Sequence, residues 1–107
     1  MNIERLDVYY INFGEKGIKP CVILTNDVAN RHSPVLHVAY ISTKPREKNN
    51  PTNVFIDKNI VGLRQGSYVL ISKTRLVNTD QLSVYITTLN PMENEINKAI
   101  KTHFGLD

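Results

Sequence analysis

Tryptophan is absent from this 107-residue chain, alanine occurs three times, and cysteine once, at Cys21. A single cysteine excludes an intrachain disulfide and any zinc site built from several thiolates. No apolar run approaches the roughly 20 residues that a helical membrane span needs. The opening Met1-Asn2-Ile3-Glu4-Arg5 has no apolar signal-peptide core behind it. A phosphate-cradling glycine loop is missing, as are Gly-x-Ser-x-Gly and His-Glu-x-x-His. The three histidines, His32, His37 and His103, stand far apart in the chain. His37 inside an apolar strand and His103 near a helix end read as packing or capping residues. Cys21, beside Val22 and Ile23, reads as a buried and inert thiol. The expectation is a soluble, cytoplasmic chain forming one domain over residues 1–107, with no metal or cofactor.

What is abundant points to strands. Val, Ile and Leu number 30, and Val, Ile and Thr together number 29, over a quarter of the chain. β-branched side chains lose freedom in helices and fit a pleated surface. Charge is unevenly spread. The formal net charge is +3, yet residues 16–75 hold ten Lys and Arg against three acids, a local +7. Such a segment is either an ordinary solvated surface or a face that meets a polyanion.

Along the chain, Leu6–Phe13 reads as a first strand and Gly14–Gly17 as its closing turn. Cys21–Thr25 is a continuously apolar run suited to a strand buried on both faces, with Asn26-Asp27 as a turn behind it. Val35–Ser42 is a third strand, followed by a polar loop over Thr43–Thr52. Asn53–Ile56 resumes strand character, Asp57–Gly66 has room for a helical turn, and Ser67–Ser72 is another strand. Thr74–Val77 and Val84–Thr88 add short ones. The period then changes: Asn90-Pro91 reads as cap and first helical residue, with Glu93 three after the cap. Met92, Ile96, Ala99, Ile100 and Phe104 recur at helical spacing up to a stop at Gly105. The pattern predicts a mainly β fold, a small barrel or strongly curved sheet, with a C-terminal amphipathic helix packed on it.

Cationic and hydroxyl side chains cluster at strand ends: Lys19, Ser42, Thr43, Lys73, Thr74 and Arg75. Groups of this kind can cleave RNA beside a 2′-hydroxyl without a metal. The reaction needs a proton acceptor, a cation for the phosphorane, and a proton donor for the leaving oxygen. Arg suits the second task because its planar fork bridges two phosphate oxygens.

The order of these blocks resembles the MazF/PemK family of toxin endoribonucleases. Leu6–Phe13 (LDVYYINF) is similar to the family's first strand, and Gly17–Asp27 (GIKPCVILTND) to its Gly-x-Arg-Pro element with the strand and Asn-Asp that follow. Asn30–Ser42 (NRHSPVLHVAYIS) resembles the next block, Asn50–Val54 the Leu-Pro-Thr-His-Val element, and Ser67–Leu76 (SYVLISKTRL) the later strand that carries an Arg. The resemblance implies a small SH3-like β-barrel that works as a homodimer, with RNA in a groove involving the dimer interface. It implies metal-independent, sequence-specific cleavage of single-stranded RNA to 2′,3′-cyclic phosphate and 5′-hydroxyl ends, blocked by a cognate antitoxin. Residue by residue, Lys19 takes the place of the catalytic Arg, Ser42 that of the catalytic Thr or Ser, and Arg75 that of the later Arg. Thr43, Lys44, Arg46, Lys48, Lys73 and Thr74 then fall beside the RNA.

The chain also departs from the family pattern. Lys19 lacks the bidentate fork, Ser72 stands where many members carry Glu, Asn78 where many carry Asp, and Leu6 where Gly is usual. These changes leave a second reading open, a member that binds RNA or a partner protein without turnover. A third, a topoisomerase poison of the CcdB type, shares the architecture but relies on a Trp-containing tail; this chain ends Phe104-Gly105-Leu106-Asp107.

Overall fold

The computed structural model describes residues 2–44, 50–57, 59 and 65–106. Among the described residues six strands are present: β1 (Asp7–Asn12), β2 (Ile18–Ile23), β3 (Val35–Ser42), β4 (Asn53–Ile56), β5 (Ser67–Asn78) and β6 (Leu82–Thr88). Among the described residues they are accompanied by helices α1 (Asp27–His32) and α2 (Glu93–Phe104). The strands form one antiparallel sheet in the order β4-β5-β3-β2-β1-β6. Among the described residues β4 and β6 are its two edges, so the sheet is not closed into a barrel by a last ladder.

The sheet is nevertheless strongly curled. One buried cluster joins Val8 of β1, Val22 of β2, Ala39 and Ile41 of β3, Val54 and Ile56 of β4, and Val69 and Ile71 of β5 to Ile96 and Ala99 of α2. Five strands laid flat at about 4.8 Å spacing would be too wide for one helix roughly 10 Å across to cover. Curling brings them under it. A second cluster lies on the opposite face, built from Tyr9, Ile11, Cys21, Ile23, Leu36, Val38, Val77 and Leu82. Cys21, Val22 and Ile23 are each 0 % exposed, which is why that run is apolar without alternation.

Several boundaries differ from the sequence reading, each for a local reason. β2 begins at Ile18 because residues 18–20 pair with Asn12, Ile11 and Tyr10 of β1. The expected turn at Asn26-Asp27 instead opens α1, with the Asn26 side chain accepting the Ala29 N–H at 2.8 Å. Thr74–Val77 is not a separate strand but the second half of β5. Asn90 does not cap α2: residues 90–92 form a 3-10 turn with Pro91 in it, and α2 follows from Glu93. The stop at Gly105 is as expected. Its φ is 69°, and the Leu106 N–H reaches back to the Lys101 carbonyl at 2.8 Å. The helical turn expected over residues 57–66 lies largely outside the described residues. No described helix is long and apolar enough to cross a membrane.

Candidate active site

Register alone puts three of the candidate residues, Lys19, Ser42 and Arg75, on one face. Cys21 pairs with Tyr40, and Val38 with Arg75. Residues two apart on a strand share a face, so Lys19, Tyr40, Ser42 and Arg75 stand on the side of the sheet away from α2. They come from three adjacent strands, β2, β3 and β5. Together with Lys16, Pro20, Ile41, Leu70 and Lys73 they line a cavity of about 410 Å³.

Two backbone irregularities open that cavity. The first is Pro20. The Ile23 carbonyl accepts from Leu6 on the β1 side, whereas the Leu24 N–H donates to the His37 carbonyl of β3. Backbone groups alternate sides along a strand, so the Pro20 nitrogen faces β3, and it carries no hydrogen. The β2–β3 register runs Ile23↔Val38, Val22↔Ala39, Cys21↔Tyr40 and ends there. The second is a bulge in β5. Thr74 pairs with Ala39 but Leu70 pairs with Tyr40, leaving Ile71, Ser72 and Lys73 between two neighbouring partners. A bulge redirects side chains, and here Lys73 enters the cavity wall.

The wall is electrostatically one-sided: Lys16, Lys19, Lys73 and Arg75 contribute four cations, with no carboxylate or imidazole among the described lining residues. The Lys19 ammonium sits 5.6 Å from the centre of the Tyr40 ring. Ser42 Oγ accepts the Lys44 N–H at 3.1 Å, which leaves its own hydrogen free to donate. The positive charge of such a wall attracts an anion. Among the described residues, no group of three or more His, Cys, Asp or Glu is placed to hold a metal.

Not every candidate joins this cavity. Thr74 pairs with Ala39 and so faces the α2 side, while Thr43 and Lys44 are exposed beyond the end of β3. Arg46 and Lys48 lie outside the described residues. Lys16, Pro20, Tyr40 and Leu70 were not singled out in the sequence; Tyr40 was signalled by its spacing of two from Ser42. Cys21 lies beneath Lys19, fully buried, and burial pushes its thiol up to about 12, so it is not a nucleophile. The His37 backbone N–H donates to Thr25 Oγ1 at 3.1 Å, and the His103 ring lies edge-on to Phe104 at the end of α2. Both are away from the cavity lining. Asp7, 6 % exposed, accepts the Glu4 N–H at 3.1 Å, and burial raises its pKa above the ordinary 3.8. It braces the start of β1.

The family of PemK-like, MazF-like toxins of type II toxin–antitoxin systems matches residues 4–104. The chain belongs to this family. An endoribonuclease MazF of Staphylococcus saprophyticus is 32% identical over 111 residues, covering 97% of this chain and 92% of the relative. The endoribonuclease EndoA of Bacillus subtilis is 28% identical over 113 residues, covering 99% and 97%. Among solved structures, a mycobacterial endoribonuclease in complex with its cognate antitoxin matches with a TM-score of 0.83 at 28% identity, covering 98% of this chain and 97% of that one. The MazF-like toxin thus has the cation-lined cavity on the sheet face that its helix leaves open.

Proposed function

We propose that this MazF-like toxin is a cytoplasmic, sequence-specific endoribonuclease that cuts single-stranded RNA without a metal. The observation that carries the reading is the cavity itself, with four cations and the Ser42 hydroxyl and no acidic group among its described lining residues. In the proposed reaction the ribose 2′-hydroxyl gives up its proton to solvent water as its oxygen attacks phosphorus, the bond to the 5′-oxygen breaks, and that oxygen takes up a proton from water, leaving a 2′,3′-cyclic phosphate and a 5′-hydroxyl. Arg75 bridges phosphate oxygens as negative charge grows on the phosphorane. Lys19 orients the phosphate or assists proton transfer, and Ser42 donates its hydroxyl hydrogen to phosphate or ribose. Lys73, with the exposed Lys44 and Thr43 nearby, binds the RNA backbone. The protein works as a homodimer and is held inactive by a cognate antitoxin, as the mycobacterial relative was solved with its own.

The absence of a carboxylate or imidazole from the described lining favours one competing reading, binding of RNA without turnover. One experiment separates the two. Purified protein is incubated with a long single-stranded RNA in excess EDTA, beside Arg75→Ala and Lys19→Ala variants, and new ends are mapped. Discrete cuts bearing 5′-hydroxyl ends, abolished by Arg75→Ala and slowed but still measurable in Lys19→Ala, are the expected result. RNA that is bound but left intact overturns the enzymatic reading.

A further inference from the structure

We propose that Tyr40 is a positioning residue whose ring holds the Lys19 ammonium in the cavity, so that the charge meets the phosphate already in place. This rests on the reading of the cavity as an RNA phosphate site. Lys19 needs such a hold. Its stem is long and flexible, its ammonium is strongly hydrated, and Pro20 has ended the ladder beside it. Lys16, Lys73 and Arg75 line the same cavity and push Lys19 outward. A carboxylate would anchor the ammonium but would also cancel its charge. An aromatic face attracts a cation through its quadrupole and leaves the full charge available.

The ring is well held. Tyr40 is half-buried, pairs with Cys21 on one side and Leu70 on the other, and packs against the second core cluster. Phe13 lies against it, with ring centres 5.5 Å apart and planes inclined at 47°. The chain Phe13–Tyr40–Lys19 thus fixes a mobile ammonium to a rigid strand, two residues before Ser42.

The test is a double-mutant cycle with a structural readout. Single-turnover cleavage is measured for the native protein, Tyr40→Leu, Tyr40→Phe, Lys19→Ala and Lys19→Ala/Tyr40→Leu. Tyr40→Leu is expected to lower the cleavage rate about 3- to 10-fold, with a smaller change in RNA affinity. Tyr40→Phe keeps the ring and retains most of the rate. On the Lys19→Ala background, Tyr40→Leu has no further effect. In parallel, NMR should show the Lys19 ε-methylene protons shifted upfield by the ring in the native protein and in Tyr40→Phe, and not in Tyr40→Leu. A loss that persists on the Lys19→Ala background overturns the proposal, because the ring would then act on RNA directly, as by stacking a base. Absence of the upfield shift from the native protein also overturns it, whatever the folding of the variants. Native protein that leaves RNA intact defeats the enzymatic reading and the catalytic half of this one. The ring shift then still shows whether the contact exists.

Discussion

Leu6 is the residue at which local conformation and packing conflict. Its φ is 72°, the one positive value among the described non-glycine residues. The surroundings hold it there: its N–H donates to the Ile23 carbonyl at 2.7 Å, its carbonyl accepts from Leu89 at 2.8 Å, and its side chain is 1 % exposed in the core under α2. Left-handed backbone costs an L-residue about 1–2 kcal/mol, while emptying a buried leucine site costs about 2–5 kcal/mol. Packing wins, so both Leu6→Gly and Leu6→Ala should destabilise the protein. Their order should invert the usual one. Glycine ordinarily costs about 0.5–1 kcal/mol more than alanine in regular structure, but here only glycine relieves the strain. Urea unfolding should therefore place Leu6→Gly about 1 kcal/mol above Leu6→Ala. An alanine variant of greater stability than the glycine one would show that Leu6 is not left-handed in solution.

At the scale of elements, the site depends on where pairing stops. Pro20 ends the β2–β3 ladder because its nitrogen faces β3 without a hydrogen. Pro20→Ala supplies that hydrogen. The ladder should then extend towards Ile41, and the residue-20 amide should resist hydrogen exchange. Stability should stay within about 1 kcal/mol, since a gained hydrogen bond offsets the freer unfolded chain. RNA cleavage should fall as the cavity mouth narrows. Rapid exchange at residue 20 with unchanged cleavage would mean that something other than the missing hydrogen sets the ladder end. The same features explain how much the sequence disclosed. Val35–Ser42 and Asn53–Ile56 were legible to the residue because apolar side chains define them. β5 looked like two strands because Ser72, Lys73 and Thr74 interrupt its apolar pattern, and a bulge is a property of pairing that one strand cannot reveal. Lys19, Ser42 and Arg75 stood out as cationic and hydroxyl side chains at strand ends and again through family resemblance, and the structure brings them into one cavity, whereas Tyr40 needed the register to show whose ammonium lies over its ring.

For the molecule as a whole, local charge outweighs net charge. The chain carries only +3, a value that by itself predicts weak attraction to RNA. Yet the cavity gathers four cations, and residues 16–75 carry a surplus of seven. At physiological salt the screening length is about 8 Å, so a phosphate in the cavity responds to the cations around it and little to acids elsewhere on the molecule. Binding to single-stranded nucleic acid releases counterions in proportion to the phosphates neutralised, with a log–log slope near −0.7 for each. Arg75 and Lys19 share the scissile phosphate, so with Lys16 and Lys73 each on another phosphate the slope of log K against log salt would be about −2. Lys73→Ala should make it shallower by about 0.7 and weaken binding alike for all RNA sequences. Fluorescence anisotropy with a short single-stranded RNA, over a range of salt concentrations, measures both quantities. A slope near zero would mean that RNA is held by base contacts elsewhere and that the cavity does not engage the backbone.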